Sequence, residues 1–235
     1  MLVVGFDTAT PAVSVALHDG ERVVSEAFAA DARRHGELLA PMIAKVMADA
    51  GASRTDLTAI AVGVGPGPYT GLRVGVVTAR VLGAVLGLPV HGVCSLDVIA
   101  AATSLAIAPG REFLVATDAR RKEVYWARYE AAGRRLEGPG VGSAGSITGA
   151  AELPVAGAGG QLYPEAFGEV IGPAYPDART LSAIVAGRLG EAGSPDSPLA
   201  AGPGLAQPPL LAPDPLYLRR PDARVPGPPK RVTPS

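Results

Sequence analysis

The alternation of apolar and polar residues at the start of the chain predicts a β-meander. Apolar side chains recur at every second position through Val13, Val15 and Leu17, which is the spacing of a strand with one buried face. Gly20 follows in a short polar turn, where it can adopt the positive φ that a tight hairpin needs. We therefore expect three strands within residues 2–28.

The apolar positions that follow indicate helices alternating with buried strands. Helical spacing marks residues 35–50, and a nearly continuous apolar run marks residues 57–64 as a strand buried on both faces. A second helix then extends through Gly87 and is apolar on almost every side, as in a helix buried in a core or beneath a partner. We expect a short strand at 89–93 and a further helix at 96–108. The order βββαβαβα is that of the ribonuclease-H-like half-domain that actin-like proteins carry twice.

A second pattern of the same kind begins at Glu112, with turns near residues 119–122 and at Gly133. It is shorter than the first, so the second unit is expected to be a reduced version of the same fold. We expect strands at 113–118, 123–129, 134–136 and 154–158, and helices at 161–167 and 180–191.

Proline dominates the end of the chain, because twelve of the 23 prolines lie in the last 42 residues. Helix and central strand are both disfavoured there, and an extended tail is expected. The predicted class is α/β, with two ribonuclease-H-like (actin-like, ASKHA) subdomains at 1–109 and 110–193 and a Pro-rich tail at 194–235. Within the tail, 216–219 is the segment expected to dock, and 221–235 is expected to be disordered.

Composition places the chain among globular proteins, with 48% hydrophobic and 18% charged residues. The 21 basic and 22 acidic residues give a formal net charge of -1. A charge this close to zero provides no overall field for capturing nucleic acid. Any contact with RNA is therefore expected to be local or to be made through a partner.

The cysteine content and the apolar runs bear on the compartment. Cys94 is the single cysteine, so no disulfide can form within the chain, which suits a reducing cytosol. The first residues have no basic segment and reach Asp7 too early for a signal sequence. The apolar stretch at 71–89 comes nearest to a membrane span, but Arg73 and Arg80 interrupt it. We expect a cytoplasmic protein without a membrane segment.

Two turns carry residues that could hold a nucleotide. Asp7, Thr8 and Thr10 follow the first strand, where actin-like ATPases place an aspartate, a glycine and hydroxyl groups around Mg²⁺ and phosphate; the glycine is missing here. Asp118 and Arg120 occupy the corresponding turn of the second unit, where those ATPases have Asp-x-Gly-Gly. A simple polar turn and a degenerate phosphate loop are both consistent with the first site. A solvated basic hairpin tip and a phosphate contact are both consistent with the second.

Two glycine-rich turns join strands to helices. The segment Gly65-Pro-Gly-Pro-Tyr-Thr-Gly-Leu-Arg73 has free amides and a candidate N-cap in Thr70, but its prolines remove donors and no Gly-Lys-Ser/Thr follows. A rigid elbow is favoured over an anion site. The turn Gly157–Gly160 has the position of an adenosine-binding loop, although such turns are common for packing reasons alone.

The sequence contains no pattern typical of a hydrolytic centre. His18, His35 and His91 show no spacing characteristic of metal ligands, and neither a Gly-x-Ser-x-Gly elbow nor a credible Ser/His/Asp triad is present. We therefore expect no metal site and no catalytic residue.

Several segments, in their order along the chain, closely resemble the TsaB (YeaZ) family from Met1 to about Arg220. The elbow Gly-Pro-Gly-x-Tyr-Thr-Gly-Leu-Arg is the most specific of them. The others are the start Phe6-Asp-Thr-Ala-Thr10, the helix with His35, Leu38, Leu39 and Pro41, the turn Asp118 to Tyr125, and Tyr217-Leu-Arg219.

This resemblance implies an accessory subunit of the bacterial complex that forms threonylcarbamoyladenosine beside the anticodon of tRNAs reading codons that begin with A. It implies a TsaD-type paralogue that carries out the chemistry and a TsaE-type ATPase as partners, with tRNA contacted indirectly through the complex. Without the paralogue, the surface that would bind it is expected to form a homodimer instead. No tightly bound cofactor is implied, only weak ATP or ADP binding at a complex interface.

By the same resemblance, two broadly apolar helices, at 35–50 and 70–86, build the partner interface. The residues expected to contribute to it are His35, Leu38, Leu39, Met42, Val46, Arg73, Val77 and Val81.

Two enzymatic alternatives remain at this point. One is a small actin-fold ATPase or kinase that uses Asp7 and Asp118. The other, a glycoprotease-like peptidase, has little support because metal ligands and a catalytic triad are both missing from the sequence.

Overall fold

The computed structural model describes residues 1–31, 33–193 and 208–219, and it shows two β-sheets with helices packed on them. This mixed α/β architecture with two sheets confirms the predicted fold class. The order of elements in the first unit is the predicted βββαβαβα. The predicted disorder of 221–235 lies outside the described residues, as does most of the predicted tail.

The first unit is a five-stranded sheet in the order β3-β2-β1-β4-β5. Strands β1 and β2 are antiparallel, whereas β1, β4 and β5 are parallel because helices connect them. Its elements are β1 (Val3–Asp7), β2 (Ala12–His18), β3 (Val23–Ala30), α1 (His35–Asp49), β4 (Ala59–Gly63), α2 (Tyr69–Leu86), β5 (Val90–Val93) and α3 (Ser95–Ser104).

The second unit is a four-stranded sheet in the order β8-β7-β6-β9, in which only the β6–β9 pair is parallel. It is smaller than the first unit, as predicted. The helix expected at 161–167 is instead a short α-helix followed by a 3₁₀ turn at Pro164–Ala166. The elements are β6 (Phe113–Asp118), β7 (Glu123–Tyr129), β8 (Arg135–Ser143), β9 (Val155–Ala156), α4 (Ala158–Leu162) and α5 (Ala178–Gly193).

Strands β1, β2 and β4 are buried along their whole length because helices cover both faces of the first sheet. Side chains such as Phe6 and Val62 pack against α1 and α2 on one face. On the opposite face Val3 and Ala61 pack against α3 and α5. The first unit therefore has three layers, and α3 also contributes Ile99 to the core of the second sheet.

Helix α5 follows the second sheet in the sequence but packs on the first. Ser14 Oγ accepts a hydrogen bond from the Ala178 amide at 2.8 Å, and a Cβ on Gly5 would lie 2.9 Å from Ser182 Cβ. The predicted boundary at 109/110 is thus a boundary in sequence, whereas the packing of the first unit extends to α5.

Residues 208–219 form an extended segment along the first unit, which we call the C-terminal strap. Leu211 and Gly92 exchange two backbone hydrogen bonds of 2.8 Å, and the Leu216 amide donates to Val64 O at 2.8 Å. Leu211 and Leu216 also pack on the apolar cores. Backbone pairing at separated points holds the strap in place although it lacks helix and regular strand.

By length and composition, one helix among the described residues, α2, reaches the threshold for a membrane span, with a mean hydropathy of 1.3 over 18 residues. Arg73 and Arg80 lie within it, and its inner side packs on β1, β4 and β5. The helix is therefore held on a protein core along one side.

Candidate functional site

Asp7 is 1% exposed and fully engaged by neighbouring groups. The Ala9 amide donates to Asp7 Oδ1 at 2.7 Å, and the Ser95 hydroxyl donates to Oδ2 at 2.6 Å. Ser95 Oγ in turn accepts from the Gly65 amide at 3.1 Å. A Cβ on Gly63 would come within 1.7 Å of Asp7 Oδ2, so the carboxylate fills the space above β4. Asp7 ties the first turn to the elbow and to the start of α3.

Burial raises the pKa of Asp7 to about 6, and this effect exceeds the opposing influence of the Ser95 hydroxyl, the Ala9 amide and the charge of His35. The carboxylate therefore costs free energy to ionise where it lies. An aspartate that holds Mg²⁺ needs open coordination positions, whereas both oxygens of Asp7 already accept hydrogen bonds.

Thr8 and Thr10 are also buried, at 1% and 4% exposure. Thr8 Oγ1 donates to Gly71 O at 2.7 Å and accepts from the Gly75 amide at 3.0 Å, so its hydroxyl bridges one turn of α2. Thr10 O accepts from His35 Nε2 at 2.7 Å. These residues therefore connect the turn after β1 to helices α1 and α2.

Glycines of the elbow and of α2 let this turn approach the helix closely. A Cβ on Gly67 would lie 2.1 Å from Ala9 O, and a Cβ on Gly71 would lie 2.7 Å from Thr8 O. These contacts fill the region where a phosphate would have to enter, which favours the structural elbow over an anion site. The N-cap of α2 is Pro68, in extended conformation, and the expected cap at Thr70 is not formed.

The second predicted turn is paired within itself. Asp118 Oδ1 accepts from the Arg120 amide at 2.7 Å, and its Oδ2 lies 3.3 Å from Arg120 Nη1. Arg120, Arg121 and Lys122 all have positive φ, between 56° and 63°. Because the Asp118 carboxylate already closes its own turn, the pair forms a structured basic hairpin tip.

Tyr125 Oη lies 3.5 Å from Gly67 O, which places this hairpin beside the elbow. The turn at Gly157–Gly160 packs on β6 instead, since a Cβ on Gly157 would lie 2.2 Å from Ala116 O. That contact supports the packing interpretation of these glycines.

The structure corrects the expected interface on α1. His35, Leu39, Met42 and Val46 are all buried in the monomer, the last three within the core beneath α1. Their spacing of i, i+4, i+7 and i+11 places them on the side of the helix that faces the sheet. Leu38 is half-buried against the same core. The four buried residues, unlike Leu38, therefore cannot be direct partner contacts in this conformation.

The expected interface residues on α2 lie on its exposed side. Val77 is 50% and Val81 55% exposed, and Arg73 is exposed between them and the elbow. The sequence-based interpretation missed Tyr69, at 52% exposure, although its place in the elbow motif was a usable signal. We call this surface the α2 outer face, which comprises Tyr69, Arg73, Val77, Val81 and Val85.

The opposite side of α2 carries small residues at intervals of four. Gly71, Gly75, Ala79 and Gly83 are all buried. Leu72 and Val76 are buried beside them in the core, while Val77, Val81 and Val85 lie on the exposed side. The helix is therefore apolar on both its inner and its outer side. Close packing explains the inner side, whereas nothing in the described chain covers the outer valines.

A shallow groove of about 450 Å³ runs along the α2 outer face beside the strap. Pro215 and Tyr217 form its second wall. Across the described ranges, three or more His, Cys, Asp or Glu side chains nowhere come together in a way that could hold a metal ion.

Comparison with known proteins identifies relatives of the whole chain. A family model described as TsaD, tRNA N6-adenosine threonylcarbamoyltransferase, matches residues 23–159, more than half of the chain. The uncharacterized protein ML0378 of Mycobacterium leprae (strain TN) is 42% identical over 231 residues, or 95% of this chain, and the chain spans 56% of its length.

The tRNA threonylcarbamoyladenosine biosynthesis protein TsaB of Escherichia coli (strain K12) is 40% identical over 131 residues, which are 55% of each protein. The structure of YeaZ from Pseudomonas aeruginosa superposes with a TM-score of 0.71 at 28% identity, covering 92% of this chain and 99% of that one. The similarity in structure thus extends well beyond the segment that aligns in sequence with the E. coli protein.

Proposed function

Since this chain belongs to the TsaB (YeaZ) family, within the wider family that the TsaD model describes, we propose that it is a non-catalytic subunit in threonylcarbamoyladenosine formation on tRNA. In this proposal it binds and activates a TsaD-type paralogue. The modified adenosine lies beside the anticodon of tRNAs that read codons beginning with A.

The observation that carries the proposal is the α2 outer face. Val77 and Val81 leave half or more of their surface in solvent, and Val85 is 76% exposed. These three valines align on one side of α2 and favour a protein partner, because burying them releases water that they would otherwise order. The groove beside them offers a partner helix a concave contact.

The closely packed turn after β1 supports the proposal that this subunit is not catalytic. Asp7 and Thr8 are hydrogen-bonded to backbone and side chains of their own chain, and the elbow glycines bring α2 against them. Opening this turn to a nucleotide would break several buried hydrogen bonds together. The proposal therefore assigns metal, nucleotide and acyl-transfer chemistry to the paralogue.

The wider assembly is part of the same proposal. A TsaE-type ATPase joins the complex, tRNA is reached through the paralogue, and the chain alone pairs through its α2 outer face. Any ATP or ADP binds weakly at a complex interface. The proposed compartment is the cytoplasm, where tRNA is modified.

Val77→Asp tests the partner surface. It places a charge in the centre of the α2 outer face and is expected to weaken binding to the TsaD-type paralogue of the same organism by at least about 10-fold. Leu162→Asp is a matched control because Leu162, at the end of α4, is 51% exposed against 50% for Val77. Isothermal titration calorimetry measures both affinities.

Reconstitution tests the activity itself. The paralogue, the ATPase, tRNA and threonylcarbamoyl-adenylate are incubated with and without this chain, and modified adenosine is quantified by mass spectrometry. The chain should raise the yield, and Val77→Asp should not. Equal yield in its presence and absence would refute the proposal, and ATP hydrolysis by the chain alone that Asp7→Ala abolishes would support the ATPase alternative.

A further inference from the structure

The C-terminal strap connects the second unit to the α2 outer face. Its last described residue, Arg219, donates from Nη1 to Ala119 O at 3.1 Å and forms an ion pair with Glu123. Both partners belong to the β6–β7 hairpin of the second unit. Two residues earlier, Tyr217 stacks on Tyr69 of α2, with ring centroids 5.4 Å apart and planes inclined by 24°.

The stacking contact continues to Arg73. The Arg73 guanidinium carbon lies 5.0 Å from the centroid of the Tyr69 ring, and Arg73 Nη1 donates to Tyr69 Oη. Arg219, Tyr217, Tyr69 and Arg73 thus form a chain of contacts from the β6–β7 hairpin to the start of the α2 outer face. Each ring restricts the orientations open to its neighbour.

The charges around the groove indicate what it binds. Arg80 already pairs with Asp214 of the strap at 3.1 Å. Arg73, in the described part of the chain, has an aromatic ring and a phenol as neighbours but no carboxylate. The residues lining the groove include both arginines and no acidic side chain. A second copy of the same face offers Arg73 no carboxylate, so a homodimer should be weaker than a complex with a partner whose carboxylate pairs with Arg73.

We propose that Tyr217 and Arg219 are positioning residues of the partner interface, and that the strap and α2 together receive a helix bearing an apolar stripe and a carboxylate opposite Arg73. This inference rests on the proposed function. It adds the role of the strap, the pairing of Arg73 with a partner carboxylate, and the chemistry of the helix that binds. That helix belongs to the TsaD-type paralogue.

Tyr217→Ala in the full-length chain tests the inference. Loss of the ring frees Tyr69 and Arg73, so affinity for the paralogue should fall by about 10-fold, while Tyr217→Phe keeps the stacking and should bind like the wild type. Tyr217 is 45% exposed, so both variants are expected to fold, and thermal unfolding verifies this. Arg219→Gln removes the ion pair between the strap and Glu123 of the hairpin, and it should also weaken binding to the paralogue.

The salt dependence separates positioning from a merely structural role. The wild-type affinity should fall as ionic strength rises, and Arg73→Gln should flatten that dependence, since its charge pair is lost. Tyr217→Ala should flatten it too, and the double variant should be no weaker than Arg73→Gln alone within a factor of about 2.

Three outcomes would overturn the inference. Wild-type affinity in Tyr217→Ala, with binding lost in Val77→Asp, refutes the role of the strap and leaves the proposed function intact. Loss of a homodimer in Tyr217→Ala with unchanged affinity for the paralogue identifies a second copy as the occupant. No binding of the wild-type chain to the paralogue refutes the proposed function as well.

Discussion

At the scale of single residues, Asp7 shows how a carboxylate in a nucleotide-type position can serve structure. Its two oxygens accept from Ala9 and Ser95, and burial raises its pKa to about 6. The folded protein therefore holds the Asp7 proton up to a higher pH than the unfolded chain does, whose pKa is near the ordinary 3.8. Between these values the native state binds more protons, so this group makes stability fall as pH rises.

Asp7→Asn is expected to remove that pH dependence. From pH 4 to pH 7 the wild type should lose up to about 3 kcal/mol of unfolding free energy through this group, corresponding to a pKa shift of about two units. The variant should not show this loss. Urea unfolding at intervals of one pH unit measures the difference between the two curves.

Asp49→Asn is the control for this experiment, because Asp49 is an exposed carboxylate at the end of α1. Because this variant keeps buried Asp7, it should keep the loss of stability that Asp7 causes between pH 4 and pH 7. If Asp7→Asn shows the same loss, ionisation of Asp7 is not its cause.

At the scale of elements, the inner side of α2 has glycines where a larger side chain would collide with Thr8. Gly71 and Gly75 leave room for Thr8, whose hydroxyl bridges their backbone groups. A Cβ on Gly75 would lie 2.5 Å from Thr8 Oγ1. Glycine in the interior of a helix normally lowers its stability, so the close approach must compensate for that loss here.

Gly75→Ala should therefore destabilise the protein although it improves helix propensity. We expect the free energy of unfolding to fall by about 1–3 kcal/mol from overpacking against Thr8. Gly36→Ala in α1 is the matched control, since a Cβ there meets nothing within 4 Å, and it should raise stability by up to about 1 kcal/mol. Chemical denaturation of both variants measures the contrast, and a stabilised Gly75→Ala would show that the turn yields easily.

The sequence predicted these elements well because burial leaves a periodic trace. Strand β4 and helices α1 and α2 were identified within a few residues of their ends, and β1 and β2 lie within the segment where three strands were expected. What periodicity could not reveal was which apolar side of each helix faces the chain's own sheet. Leu39 and Met42 belong to the core, and Val77 and Val81 do not, yet all four are apolar residues at helical spacing.

Contacts between segments distant in sequence were also beyond prediction. That Thr8 enters α2, and that Tyr217 lies on Tyr69, depends on the tertiary path of the chain. The elbow motif did indicate a tight strand-to-helix junction, because glycine and proline restrict the backbone locally. The reason for its glycines is the close approach of Ala9 and Thr8, which depends on the tertiary structure and leaves no local pattern in the sequence.

At the scale of the whole molecule, a buried polar cluster joins the two units. Asp97 of α3 accepts from Tyr129 Oη of β7 at 2.7 Å and lies 3.5 Å from Arg135 Nη2 of β8. Burial raises the pKa of Asp97, and burial, followed by the charge of Asp97, raises that of Tyr129. Cys94 adjoins the cluster, where burial raises its pKa to about 12 and keeps the thiol protonated.

Tyr129→Phe should uncouple this cluster without changing the packed volume. Asp97 would lose its phenolic donor, and the free energy of unfolding should fall by about 1–3 kcal/mol. Tyr125→Phe is the same change on the same strand, but its hydroxyl lies 3.5 Å from its acceptor, so less than about 1 kcal/mol is expected. Equal effects in thermal and urea unfolding would show that Asp97 does not depend on Tyr129.

The packing of α5 on the first sheet has a consequence for synthesis on the ribosome. A nascent chain that has emerged only as far as α3 has every strand of that sheet, yet the side of Val3 and Ala61 that α5 covers still faces water. Completion of the N-terminal core therefore waits for α5, which begins 74 positions after the end of α3. Until then this face of the sheet exposes apolar side chains, and such surfaces favour aggregation of partly folded chains.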